Sequence, residues 1–119
     1  MSEFGVTIVS ANIGALSNAN RPIFKVPTAG GGITVLGANA VLGTAGTCGL
    51  YLVDLGTAGT AIAGTIATLG SAVYTLNTPK AFTVSTAFVD AGHFVGVKED
   101  NSGAGATVTI VDVEYVMGK

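Results

Sequence analysis

LGTAGTCGLYLVDLGTAGT, Leu42–Thr60, contains one hexapeptide twice. The copies, Leu42–Thr47 and Leu55–Thr60, start thirteen residues apart and leave only Cys48–Asp54 between them. Each copy supplies an apolar strand end, Leu42 or Leu55, and then glycines that take a positive φ without steric cost. The intervening Gly49–Leu55 is rich in residues that fit a pleated, half-buried surface. The stretch therefore reads as a central strand with a turnaround at each end. A thirteen-residue period would suit a solenoid, but the phrase does not recur a third time at that spacing, and IATLGSAV is only a loose echo.

Strand signals continue on both sides of this stretch. Gly5–Val9 is a short apolar run. Arg21–Val26 alternates, and Pro22 and Pro27 confine it to a sheet edge or a short piece. Thr28–Gly32, TAGGG, is a turn or bulge. Ile33–Leu42 reads as a longer strand, bent at Gly37. Ala61–Leu69, Ala72–Leu76 and Ala81–Ser85 follow, the last two separated by a turn at Asn77-Thr78-Pro79. Gly92–Lys98 and Thr107–Val116 read as a final antiparallel pair. In that pair Lys98 is expected near Asp112 or Glu114. Period-2 alternation in Thr107–Met117 places Val111, Val113 and Tyr115 in the core and Asp112 and Glu114 in water. Helix signals are poor throughout, because Gly and β-branched residues dominate. Ala11–Ala19, with Gly14 and two Asn, reads as irregular or a single turn. About nine short strands punctuated by turns predict an all-β fold, an antiparallel β-sandwich.

Composition narrows the function classes. The chain has 119 residues, the size of one domain. Gly, Ala, Thr and Val make up more than half of it. Charged residues are 10%, against about 25% in ordinary globular domains. Mean hydropathy is +0.64, too apolar for a disordered chain. Gly, Thr and Asn interrupt every apolar run short of the roughly 20 residues a spanning helix needs. The N-terminus has no basic stretch of the secretory kind. Arg21, Lys25, Lys80, Lys98 and Lys119 are scattered, and no nucleic-acid footprint forms. A free small domain keeps a well-charged surface to stay soluble. A surface this poor in charge suits a protein packed against copies of itself or partners.

No catalytic, cofactor-binding or metal-binding pattern emerges. Cys48, the single cysteine, excludes an intrachain disulfide and reads as a small buried filler. His93, the single histidine, has no partner motif. Glu99-Asp100-Asn101 lacks the spacing of a calcium loop and reads as a solvated hairpin tip. Ala29–Gly32 is followed by Ile-Thr-Val where a phosphate loop needs Gly-Lys-Ser/Thr. No G-x-S-x-G elbow is present. The aromatics are spread through the strands and read as core.

FKVPTAGGGITVLGANAVLG, GLYLVDLGTAGT and AFTVSTAFVDAGHFVGVKEDNSGAGATVTIVDVEYVMG together resemble small structural proteins of tailed-bacteriophage virions. The resemblance runs from about Phe24 to Gly118, and its most telling phrases are Phe88–Glu99 and Val108–Gly118. It implies a β-sandwich, often of jelly-roll type, that decorates or cements the capsid without enzymatic activity. On that reading the protein is made in the host cytoplasm and resides in the virion. Its partners are the major capsid protein, copies of itself, or both. The resemblance transfers no binding residues. The bottom-up candidates for partner binding are Phe4, Val6, Ile8, Ile13 and Leu16, apolar handles on Met1–Asn20. That segment is either an anchoring arm on a domain spanning 21–119, or a first strand plus loop of the domain itself. Alternatives for the whole chain are a tail or fibre module that binds cell-surface glycans, and a tail or neck ring subunit.

Overall fold

A computed structural model describes residues 5–15, 19–42, 46–75, 77–99 and 107–119, with the side chains at 15, 46–48, 71–74, 107 and 109 outside the description. The described residues form ten strands and no helix: β1 Thr7–Ala15, β2 Arg21–Lys25, β3 Ile33–Leu42, β4 Gly46–Asp54, β5 Gly64–Tyr74, β6 Pro79–Ala81, β7 Thr83–Val84, β8 Phe88–Val89, β9 Phe94–Glu99 and β10 Thr107–Met117. They make two antiparallel five-stranded sheets packed face to face. The first has the order β1-β10-β3-β6, with β8 also paired to β3; the second has the order β2-β9-β4-β5-β7. The fold is a β-sandwich.

The second copy of the repeated phrase does what its glycines imply. β4 is the middle strand of its sheet, and Leu42 and Leu55 are both buried. The second copy forms the turn out of β4, with Gly56 and Gly59 at φ 66° and 74°. Gly43, Thr44 and Ala45 of the first copy, and the Cys48 side chain, lie outside the described residues.

Alternation sets the core. Val111 and Val113 are fully buried and Tyr115 nearly so, while Asp112 and Glu114 face outward. Opposite them, β4 and β9 contribute Leu50, Leu52, Val95 and Val97. Each such side chain contributes about 1.5–3 kcal/mol by leaving water. Phe24 of β2 stacks on Tyr115 of β10 across the sheets, with ring centroids 5.6 Å apart. β2, which carries Pro22, is an edge strand as its sequence requires.

Several expectations need correction. Ala11–Ala15 is not irregular; it continues β1, held by pairing to β10 despite its poor propensity. β5 runs unbroken through 64–74, because the register shift between Cys48 and Leu50 accommodates Gly70. Ala81–Ser85 is split at Phe82 between the two sheets. β9 and β10 are not a hairpin. The chain changes sheet at every connection except β4 to β5, so β9 lies between β2 and β4 while β10 lies between β1 and β3. Lys98 accordingly pairs in register with Tyr51, away from Asp112 and Glu114.

Glu99 is the sharpest departure. It belongs to β9, opposite Leu50, and its side chain is 2% exposed on the face shared with Val95 and Val97. Its Oε2 is buried without a hydrogen-bond partner. The rest of the expected tip, Asp100 and Asn101, lies outside the described residues. An unsatisfied buried acceptor costs about 1–3 kcal/mol. Glu99→Met, similar in volume and apolar, is therefore expected to raise stability by about 1–2 kcal/mol, read as a higher urea midpoint at unchanged slope. A lower midpoint would show that the carboxyl group is satisfied in solution.

Candidate functional site

The outer face of the first sheet and its open edge carry three exposed large apolar side chains, while a fourth, Ile62, lies in the β4–β5 connection of the other sheet. Among the described residues β1 is paired on one side only, to β10, with Thr7 opposite Tyr115, Val9 opposite Val113 and Ala11 opposite Val111. Backbone alternation shows which of its groups remain unpaired. Phe82 N donates to the Ala38 carbonyl at 2.8 Å, so Ala38 points toward β6. Asn39 then points toward β10, where it faces Asp112. Successive residues of a strand aim their N–H and C=O to opposite sides, and directly opposed residues exchange both bonds. Asp112 is thus bonded to β3, Val111 and Val113 to β1, and Val9 and Ala11 to β10. Ile8 and Ser10 present their N–H and C=O groups to the open edge.

The side chains of Ile8, Ser10 and Asn12 stand on the outer face. Ile8 is 60% exposed and Val6, just before the strand, 56%. Ser10 Oγ donates to Asp112 Oδ1 at 2.6 Å. Two strands away lies Leu36, 51% exposed. It is the extra residue of a bulge between Val35, opposite Tyr115, and Gly37, opposite Glu114. The bulge holds Val35 in the core and turns Leu36 outward. The face thus carries Val6, Ile8 and Leu36 around Glu114.

The expected partner-binding residues divide. Val6 and Ile8 lie on this face. Ile13 turns the other way, is half-buried against the core and lines a groove between β1 and β2, so it is not a free apolar handle. Phe4 and Leu16 lie outside the described residues. Met1–Asn20 contributes a strand that pairs with β10 along Thr7–Ala15. Leu36 was missed by the sequence reading, although the bend expected at Gly37 was the signal for it.

The groove holds about 490 Å³. Arg21 spans it, its Nη1 donating to the Ile13 carbonyl at 2.5 Å. Asn20 Nδ2 donates to the Thr60 carbonyl at 3.0 Å, which ties the entry to β2 to the second LGTAGT turn.

His93 does have a partner, thirty-nine residues away in sequence. Its Nδ1 is 2.9 Å from Asp54 Oδ1 and 3.1 Å from Oδ2. The same Oδ1 accepts the Gly56 N–H at 2.8 Å. The pair therefore pins the start of the turn that follows β4. Among the described residues no three His, Cys, Asp or Glu side chains converge as a metal site would need.

No protein-family profile matches the chain, and no curated protein sequence or solved structure matches it either.

Proposed function

We propose that this chain is a non-enzymatic structural subunit that decorates the head of a tailed-phage virion and stabilises it through protein–protein contacts. The observation that carries the reading is the outer face of the first sheet, where Val6, Ile8 and Leu36 are each more than half exposed. Exposed apolar groups gathered on one face mark interaction surfaces. The surrounding surface supports the same reading, since only 10% of residues are charged. The phrase-level resemblance to virion structural proteins supplies the identity of the partner, the major capsid protein. Crossing between sheets at nearly every connection supports the jelly-roll form of the sandwich, an architecture recurrent in viral capsid and lectin domains. In this mechanism each copy bridges neighbouring shell subunits, burying apolar surface at about 25 cal/mol per Å².

The test is co-sedimentation of the purified chain with expanded heads stripped of accessory proteins, from a phage encoding it. The chain is expected to pellet with the heads. Leu36→Asp is expected to abolish pelleting while changing stability by no more than about 0.5 kcal/mol, because the bulged side chain stands in solvent. Heads that leave the chain in the supernatant, or bind Leu36→Asp equally well, would sink the reading. Binding on a glycan array without binding to heads would replace it with the tail-module alternative.

A further inference from the structure

We infer that the outer face of the first sheet selects a basic side chain on its protein partner, with the charged head paired to Glu114 and the aliphatic stem laid over Gly37. The inference rests on the reading of this face as the binding surface, and it states what that surface must meet.

Glu114 lies in the middle of the apolar face. Ile8 stands directly across from it on β1, and Gly37 directly across on β3. The bulge sets the exposed Leu36 beside Gly37. Ile8 and Gly37 are two strand spacings apart, about 10 Å. A partner that covers both Ile8 and Leu36 therefore covers Glu114 as well. Its neighbour Asp112 is bonded within the chain, to the Ser10 hydroxyl. Among the described residues no hydrogen bond or ion pair reaches Glu114. Arg21 is spent on the Ile13 carbonyl, and Lys25 and Lys119 lie over the rings of Phe94 and Phe88. In the free chain water solvates the Glu114 carboxylate. Beneath a partner that water is lost, and the desolvation penalty is offset only by a cation with good hydrogen-bond geometry. A partner that is apolar throughout would leave the charge buried and unpaired.

Gly37 gives the stem its place. A Cβ built there would meet nothing within 4 Å, and its φ is not left-handed. The backbone does not require glycine at this position, and the missing side chain leaves open space beside Glu114. Lys and Arg lay their stems along apolar surface while the charged head reaches a polar group. A stem over Gly37, flanked by Ile8 and Leu36, brings the head to the carboxylate, and a guanidinium would meet it through two parallel bonds. The same carboxylate rules out one occupant. Two copies of this chain meeting through this face would bring two unpaired carboxylates together, a like-charge juxtaposition that interfaces avoid.

The co-sedimentation assay with stripped heads tests the inference through three variants. Glu114→Gln is expected to weaken binding at least about thirtyfold, the effect of truncating one partner of a covered charge pair. Glu114→Leu would tighten a purely apolar contact and is expected to weaken this one instead. Gly37→Val fills the space for the stem and is expected to weaken binding at least about tenfold. None of the three is expected to lower the urea midpoint, since each side chain stands on the outer face. A second measurement needs no heads. N-acetyl-arginine methylamide is expected to shift the amide resonances of Ile8, Gly37 and Glu114 saturably, and its neutral isostere N-acetyl-citrulline methylamide is not. Unchanged binding of Glu114→Gln or Gly37→Val, tighter binding of Glu114→Leu, or equal responses to the two probes would each overturn the inference. Head binding lost in Leu36→Asp but kept in Glu114→Gln would leave the face as the binding surface and sink only the basic partner. Heads that never bind the chain would sink the virion reading, and the paired probes then decide the basic specificity by themselves.

Discussion

Gly32→Ala is expected to lower the unfolding free energy by about 4 kcal/mol, from backbone strain and overpacking together. Gly32 ends the TAGGG turn and delivers the chain into β3. It has φ +93°, where an L side chain is strained. A Cβ built there would lie 2.5 Å from the Val89 carbonyl oxygen and 2.7 Å from the Phe88 ring. Neither neighbour is free to retreat. Val89 and Phe88 are in register with Ile33 and Thr34, and the Gly32 carbonyl accepts the Gly118 N–H at 2.8 Å. Gly31 separates the two costs. It too has a positive φ, +77°, but nothing within 4 Å of a built Cβ. Gly31→Ala is expected to cost only the conformational part, about 1–2 kcal/mol. Urea unfolding of both variants should show lowered midpoints at unchanged slope, with Gly32→Ala lower by roughly 2 kcal/mol. Equal losses would show that the corner where β8 meets β3 is looser than its geometry.

The sandwich was legible in the sequence because its signals are local. Gly49–Leu55 is rich in strand-favouring residues and bracketed by glycine-rich turns, and it supplies most of the central strand of its sheet. Thr107–Met117 alternates, and its inward residues Val111, Val113 and Tyr115 are buried as the period demands. Pro22 announced an edge and Gly37 a bend. The arrangement of strands was not legible. Gly92–Lys98 and Thr107–Val116 are neighbours in sequence, and adjacent strands joined by a short loop usually pair. β9 and β10 belong to different sheets instead, and nothing in the intervening sequence distinguishes a change of sheet from a hairpin. Glu99 was misplaced for the same reason. Its charge suggested a turn, while the position of β9 between β2 and β4 carries it into the interior.

The candidate surface was half legible. Val6 and Ile8 could be found as apolar residues near the start of the chain. That they share a face with Leu36 depends on β10 lying between β1 and β3, a long-range pairing no local pattern encodes. The His93–Asp54 contact is of the same kind. A partner thirty-nine residues distant becomes a neighbour only because β4 and the approach to β9 lie side by side.

The largest effect on the opposite sheet is expected from Gly96→Ala, a loss of about 3 kcal/mol by overpacking. Here φ is ordinary and the constraint is space. A Cβ on Gly96 would lie 2.5 Å from the Arg21 carbonyl oxygen and 2.5 Å from Leu55 Cδ1. Arg21 belongs to the adjacent strand, whose register with β9 fixes that carbonyl. Leu55 opens the second LGTAGT copy, is 1% exposed, and is held by its N–H to the Phe94 carbonyl at 2.8 Å. Four residues on, a Cβ at Gly59 would meet the Phe94 ring at 3.1 Å. The second hexapeptide therefore does more than reverse the chain: it lies over β9, with Leu55 seated where Gly96 leaves room. Gly64, with nothing near a built Cβ and no left-handed φ, is the control. Gly64→Ala is expected to stay within about 0.5 kcal/mol of the parent. If the seat is real, Leu55→Ala should relieve part of the Gly96→Ala cost, giving a coupling of at least about 1 kcal/mol in a double-mutant cycle. Strict additivity would mean that the turn and the strand are independent, and that the repeated phrase serves only as a turnaround at each end of β4.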